Sequence, residues 1–100
     1  MNKQILEFRK TTHFMFSQWD RSIDDQILNK ILPYVECSEC EKDIVLVLPS
    51  FLKRKGVARD DETCLVLIVK KNLILRGYWC DHISYLFSKE KNAHFQILYK

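Results

Sequence analysis

The stretch that most restricts how this chain can fold is "TCLVLIVKKNLILRGYW", residues 63–79. Two apolar runs rich in leucine and β-branched residues flank the short polar link "KKN". Such runs favour extended backbone. A parallel crossover takes a dozen or more residues, so the link permits only antiparallel pairing. The sequence therefore predicts a hairpin in which 64–70 pairs with 73–79. One hairpin cannot bury itself, and the rest of the chain must supply its cover.

The clearest candidate for that cover is "RSIDDQILNKILP". Ile23, Ile27, Leu28, Ile31 and Leu32 recur at helical spacing and form one apolar stripe. Ser22 followed by Asp25 has N-cap and capping-box character, and Asp24 and Asp25 suit the positive end of the helix dipole. Pro33 disfavours helical geometry at Leu32 and ends the run. A shorter helix is predicted from a Thr11 or Thr12 cap through His13 to about Trp19, preceded by "KQILEFRK", which reads as a short edge strand, with a leading helical turn as the alternative. In that first helix Phe14, Met15 and Trp19 are expected to face the core.

Beyond the connector "YVECSECEK", "DIVLVLPSFL" reads as a strand interrupted near Pro49. "KRKGVARDDE" reads as an exposed charged loop. The C-terminal part predicts a short helix around 83–87 and a last strand around 95–99. Helices first and strands afterwards point to an α+β fold, with N-terminal helices packed on one face of an antiparallel sheet. At 100 residues, 47% of them hydrophobic, the whole chain 1–100 makes a single folded domain.

No apolar stretch reaches the roughly 18 residues that span a bilayer, so no membrane partner is expected. "MNKQILEFRK" has no apolar signal-peptide core, which implies a cytoplasmic protein with its four cysteines reduced. There is no glycine-rich phosphate loop, nucleophile elbow or paired-carboxylate motif. The formal charge of +3 permits an anionic partner without requiring one.

Four groups of residues can carry chemistry. His13, Ser17 and Arg21 fall at steps of four on the first helix and share one side. The imidazole titrates near neutrality, and the guanidinium can hold a phosphate bidentately. Arg76 and Tyr78 share a face of the second hairpin strand, with His82 just beyond. Lys53, Arg54, Lys55 and Arg59 form a basic run suited to phosphate contact, although Asp60, Asp61 and Glu62 follow at once. Cys37 and Cys40, together with Cys80 and His82, offer four soft ligands. The acidic surroundings of the first pair and the tight spacing of the second argue against a metal site, and no cofactor is expected. Cys64 reads as a small buried hydrophobe. For the first three groups a solvated polar surface remains the alternative.

"HFMFSQWDRSIDDQILNKIL" resembles the opening of a bacterial family of small RelE-like proteins. Their pattern is a His, a following Arg, a small residue, Ile and an amphipathic helix. "IVLVLPSFL", "KRKGVARDDE" and "LVLIVKKNLILRGY" resemble, in order, the strand, charged loop and hairpin that follow in those relatives. The family is grouped with RelE/ParE-like toxins, some of which cleave RNA without a metal. The resemblance implies a RelE-like fold and a metal-independent endoribonuclease of a toxin–antitoxin or conflict system. His13 and Arg21 match the family's His and Arg, while Ser17 and Gln18 occupy the region of its usual first arginine.

Such cleavage needs a base for the 2′-hydroxyl, an acid for the leaving oxygen and fixed positive charge at the phosphate. His13, Arg21, Arg76, Tyr78 and His82 are the catalytic candidates. Lys53, Arg54, Lys55 and Arg59 are the RNA-binding ones. The implied partners are RNA or the ribosome and a cognate antitoxin at the sheet edge or basic surface, with no DNA partner. The alternative is a non-catalytic protein-interaction module with the same fold.

Overall fold

The computed structural model describes residues 8–36, 42–57, 63–81, 83–89 and 93–99. Cys37, Cys40, Arg59 and His82 lie outside these residues. The elements run β1 (Arg9–Lys10), α1 (Thr12–Arg21), α2 (Asp25–Ile31), a 3₁₀ turn (Leu32–Tyr34), β2 (Asp43–Val47), α3 (Pro49–Arg54), β3 (Cys64–Lys70), β4 (Leu73–Cys80), α4 (Ile83–Lys89) and β5 (His94–Leu98).

The fold is α+β, built on an open sheet in the order β1-β4-β3-β2-β5. β3 and β4 pair antiparallel as the short link demands, Cys64 opposite Cys80 and Lys70 opposite Leu73, with Lys71 and Asn72 turning between them. The sheet is mixed, however, rather than antiparallel as expected. β1 runs parallel to β4 and β5 runs parallel to β2. Intervening helices make both parallel pairings reachable: α1 and α2 separate β1 from the later strands, and α4 returns the chain to the β2 edge.

Every residue of β2 is buried, as is β3 from Cys64 to Val69. Strands covered on both faces read as continuous apolar runs rather than alternating ones. On the first face Val45, Val47, Leu65, Leu67, Val69 and Ile74 pack with Phe14 of α1, Leu28 and Ile31 of α2, and Phe51 and Leu52 of α3. On the second, Ile44, Leu46, Val66 and Ile68 pack with Leu86 of α4. The Phe87 ring also meets that of Phe95 on β5 at 4.6 Å.

Local chemistry explains the helix ends. Thr11 caps α1, its hydroxyl accepting from the Phe14 amide at 3.1 Å. Ser22 is not the cap of α2. It closes α1 in the left-handed region at φ 56°, and Asp24 caps α2 by accepting from the Ile27 amide at 2.9 Å. Pro49 opens α3 at its first position, where the missing N–H costs nothing.

Candidate nucleic-acid interface

α1 is seated on β4 at both ends. Between Ile68/Arg76 and Val69/Ile74 the β3–β4 register shifts, leaving Leu75 as an extra residue in β4. A bulge of this kind frees backbone groups from the ladder and re-aims side chains. The Thr11 hydroxyl lies 3.1 Å from the Ile74 carbonyl and 3.2 Å from the Leu75 carbonyl, and the Thr11 amide donates to Ile74. At the far end the Trp79 indole donates to the Arg21 carbonyl at 2.7 Å.

Beyond the bulge, Arg76 lies opposite Ile68 and Tyr78 opposite Val66. Ile68 and Val66 both belong to the second-face cluster, so Arg76 and Tyr78 share that face. Arg21, at the end of α1, reaches the Tyr78 ring with its guanidinium carbon 5.8 Å from the centroid. Arg9 pairs with Leu73, and Leu73 with Lys70, which extends the same face across the β1–β4–β3 margin.

Arg9, Lys70, Leu73, Arg76 and Arg21 are all exposed, while α4 lies over the β2–β5 side through Leu86 and Phe87. The strands β1, β3 and β4 contain no Asp or Glu. The margin thus carries guanidinium and ammonium groups beside one half-buried tyrosine, with no acid in its strands. Fixed positive charge beside an aromatic face suits a phosphate backbone with an unstacked base.

Two of the sequence's groups meet here, Arg21 from the helix and Arg76 with Tyr78 from the sheet. His13 does not join them. It is exposed on α1 two turns before Arg21, and its carbonyl accepts from the Ser17 hydroxyl at 3.1 Å. Eight residues of helix place it about 12 Å from Arg21 along the axis, too far to serve the same phosphodiester through the backbone positions alone.

The basic run also lies elsewhere. Lys53 and Arg54 end α3, whose buried Phe51 and Leu52 belong to the first face. Lys55 is engaged, its ammonium 2.5 Å from the Tyr34 hydroxyl and 4.3 Å from that ring's centroid. Arg9 and Lys70 were not singled out from the sequence, because only the sheet order brings them to Arg76.

A further pair escaped the sequence reading. Asp43, fully buried at the start of β2, lies 2.8 Å from Nδ1 of His94 on β5, whose side chain is half exposed. This contact holds one ring nitrogen, an arrangement that orients an imidazole. The only signal was an acid opening an otherwise apolar strand.

Among the described residues no group of three or more His, Cys, Asp and Glu side chains is placed to hold a metal ion. Cys80 lies across the strands from Cys64, and both are free thiols. Among the described residues no helix is long and apolar enough to cross a membrane.

α1 departs most from expectation on its outer side. Of its apolar residues only Phe14 is buried, while Met15, Phe16 and Trp19 are 50%, 70% and 88% exposed. At about 100° per residue, Met15 and Trp19 lie roughly 100° and 140° around the helix from Phe14. They cannot share its face, and the expectation that they enter the core is corrected.

No protein-family model matches the chain, and no curated protein or solved structure gives a match.

Proposed function

We propose that the chain is a RelE-like, toxin-related domain that binds RNA through the cationic margin of its sheet. The observation that carries this reading is the Arg21–Tyr78–Arg76 cluster on an open face whose strands lack acidic residues. The helix pair followed by β2 and the hairpin supports it as well, although α3 (Pro49–Arg54) stands where the resembled family has the end of its strand and the start of its charged loop. Arg21 and Arg76 would hold a phosphate, and Tyr78 would stack a base or move a proton at the 2′-hydroxyl. His13 stands apart, so the margin serves binding first, and metal-independent cleavage would need a second proton-transfer group beside Tyr78.

A second reading is a non-catalytic interaction module, and the exposed apolar side of α1 favours it. Expression without a partner separates the two, because a toxin arrests growth and a module does not.

Fluorescence anisotropy with a labelled single-stranded RNA tests the binding surface. Arg21→Gln and Arg76→Gln should each weaken binding and flatten the dependence of log K on log salt by about 0.7. Lys53→Gln on the first face should change neither. RNA binding untouched by Arg21→Gln together with Arg76→Gln would remove the margin from the reaction, whatever the fold resembles.

A further inference from the structure

Thr12, Met15, Phe16 and Trp19 lie at steps of three and four along α1, and they line a concavity of about 500 Å³. Their directions cluster about 150° from Phe14, so the stripe points away from the sheet that α1 covers. This is the spacing by which an amphipathic helix packs on another helix. The side chains keep 50%, 70% and 88% of their surface at Met15, Phe16 and Trp19. Together that is on the order of 500 Å² of apolar surface, at the upper end of what a lone domain leaves exposed.

Two arguments favour a second copy of this chain as the occupant. First, homodimer interfaces are about 65% apolar. An apolar core of this size therefore implies about 750 Å² per copy, close to the roughly 800 Å² of a standard stable interface. Second, the flank of the stripe is self-complementary. His13 and Asp20 lie seven residues apart and about 20° from each other around the helix, on one flank. Two copies of α1 antiparallel about a two-fold axis centred between Phe16 and Ser17 bring His13 of each opposite Asp20 of the other. The same axis seats Trp19 at the level between the partner's Thr12 and Met15. Isologous contacts of this type close as dimers rather than growing into filaments.

We propose that two copies of this chain associate through the α1 stripe, antiparallel, with His13 and Asp20 pairing across the two-fold axis. The cationic margin stays outside the contact, because Arg76 and Tyr78 lie on the far side of the sheet from α1 and Arg21 leaves α1 near the direction of Phe14, towards β4.

Sedimentation equilibrium of the full chain from about 1 to 100 μM reads the association directly. The expected species has twice the single-chain mass of 12.0 kDa. Trp19→Asp and, independently, Phe16→Glu should raise the dissociation constant at least about tenfold while leaving the circular dichroism spectrum unchanged. His13→Glu should weaken association by setting acid against acid, and adding Asp20→Lys should restore it. A chain that is monomeric throughout overturns the proposal, whether the stripe proves open or shielded by the chain's own terminus or by another protein. A dimer indifferent to Trp19→Asp and Phe16→Glu overturns it too. Failure of the charge-swap rescue refutes the antiparallel arrangement.

Discussion

A methyl group added at Gly77 should loosen the seat of α1. A Cβ there would stand 2.6 Å from Cε1 of Phe14, 3.1 Å from Cδ2 of Leu67 and 3.2 Å from Cδ1 of Ile23. Carbon atoms pack best at about 3.5–4.0 Å, and all three neighbours are fully buried. The ring of Phe14 has nowhere to retreat except by lifting α1 from β4. Overpacking of this kind costs about 1–3 kcal/mol. Replacing a strand glycine by alanine recovers about 0.5–1 kcal/mol through the unfolded chain. The balance for Gly77→Ala centres on a loss of about 1 kcal/mol, or roughly 4–8 °C in melting temperature for a domain of this size.

Urea unfolding followed by far-ultraviolet circular dichroism at fixed protein concentration measures it. The midpoint should fall while the slope stays constant. Phe14→Leu removes the clashing atom, so Gly77→Ala with Phe14→Leu should lose less stability than the two single changes added together, by about 0.5 kcal/mol or more. A Gly77→Ala protein as stable as the parent, or strictly additive single changes, would refute the reasoning that Gly77 exists to admit the Phe14 ring.

Two smaller effects are accessible by titration and labelling. Hydrogen bonds from the Lys10 ammonium at 2.5 Å and the Gln18 amide at 2.9 Å hold the Asp25 carboxyl below its ordinary 3.8. A depressed carboxylate supports the fold above the unfolded value, and its support fades as pH falls through the lower folded value. The side chain is 67% exposed, which keeps the effect small. The carboxyl resonance should titrate nearer 3.8 in Lys10→Met. In alkylation with iodoacetamide, Cys80 should react before Cys64, whose thiol is pushed up by burial and then by the neighbouring Cys80. Peptide mass mapping distinguishes the two sites, and faster reaction at Cys64 would contradict the packing of β3.

The hairpin and α2 were legible because they rest on local rules, a short link and a helical stripe. Leu28 and Ile31 are buried as their spacing requires, and 64–70 meets 73–79 antiparallel. The parallel pairings of β1 and β5 were not legible, since two and five residues at sheet edges carry no local mark of their partners. The runs in β2 and β3 did carry a usable signal, because a strand without alternation requires cover on both faces. The aromatic residues of α1 misled for a different reason. Hydrophobicity suggested burial for Trp19, but five residues from Phe14 is about 140° of rotation, and angle overrules composition. In the candidate site, Arg76 and Tyr78 followed from strand alternation. The meeting of Arg21 with Tyr78 needed the Trp79 contact that ties the helix end to the strand.

That tie also makes the two surfaces of α1 separable by experiment. Arg21 leaves the helix near the direction of Phe14, towards β4, whereas Trp19 leaves it about 140° from Phe14. Trp19→Asp therefore alters the outer stripe without touching the groups that face the margin, and Arg76→Gln alters the margin from a different element altogether. If RNA binding and self-association were one surface, each change would disturb both measurements. With the geometry of α1 as it stands, Trp19→Asp should weaken the dimer at least about tenfold and leave single-site RNA affinity in place, while Arg76→Gln should weaken RNA binding and leave the dimer in place. Only a two-site RNA would feel both, because a dimer presents two margins and the second contact becomes intramolecular. A long single-stranded RNA that loses affinity with Trp19→Asp, beside a short one that does not, would show the stripe acting through valency rather than contact.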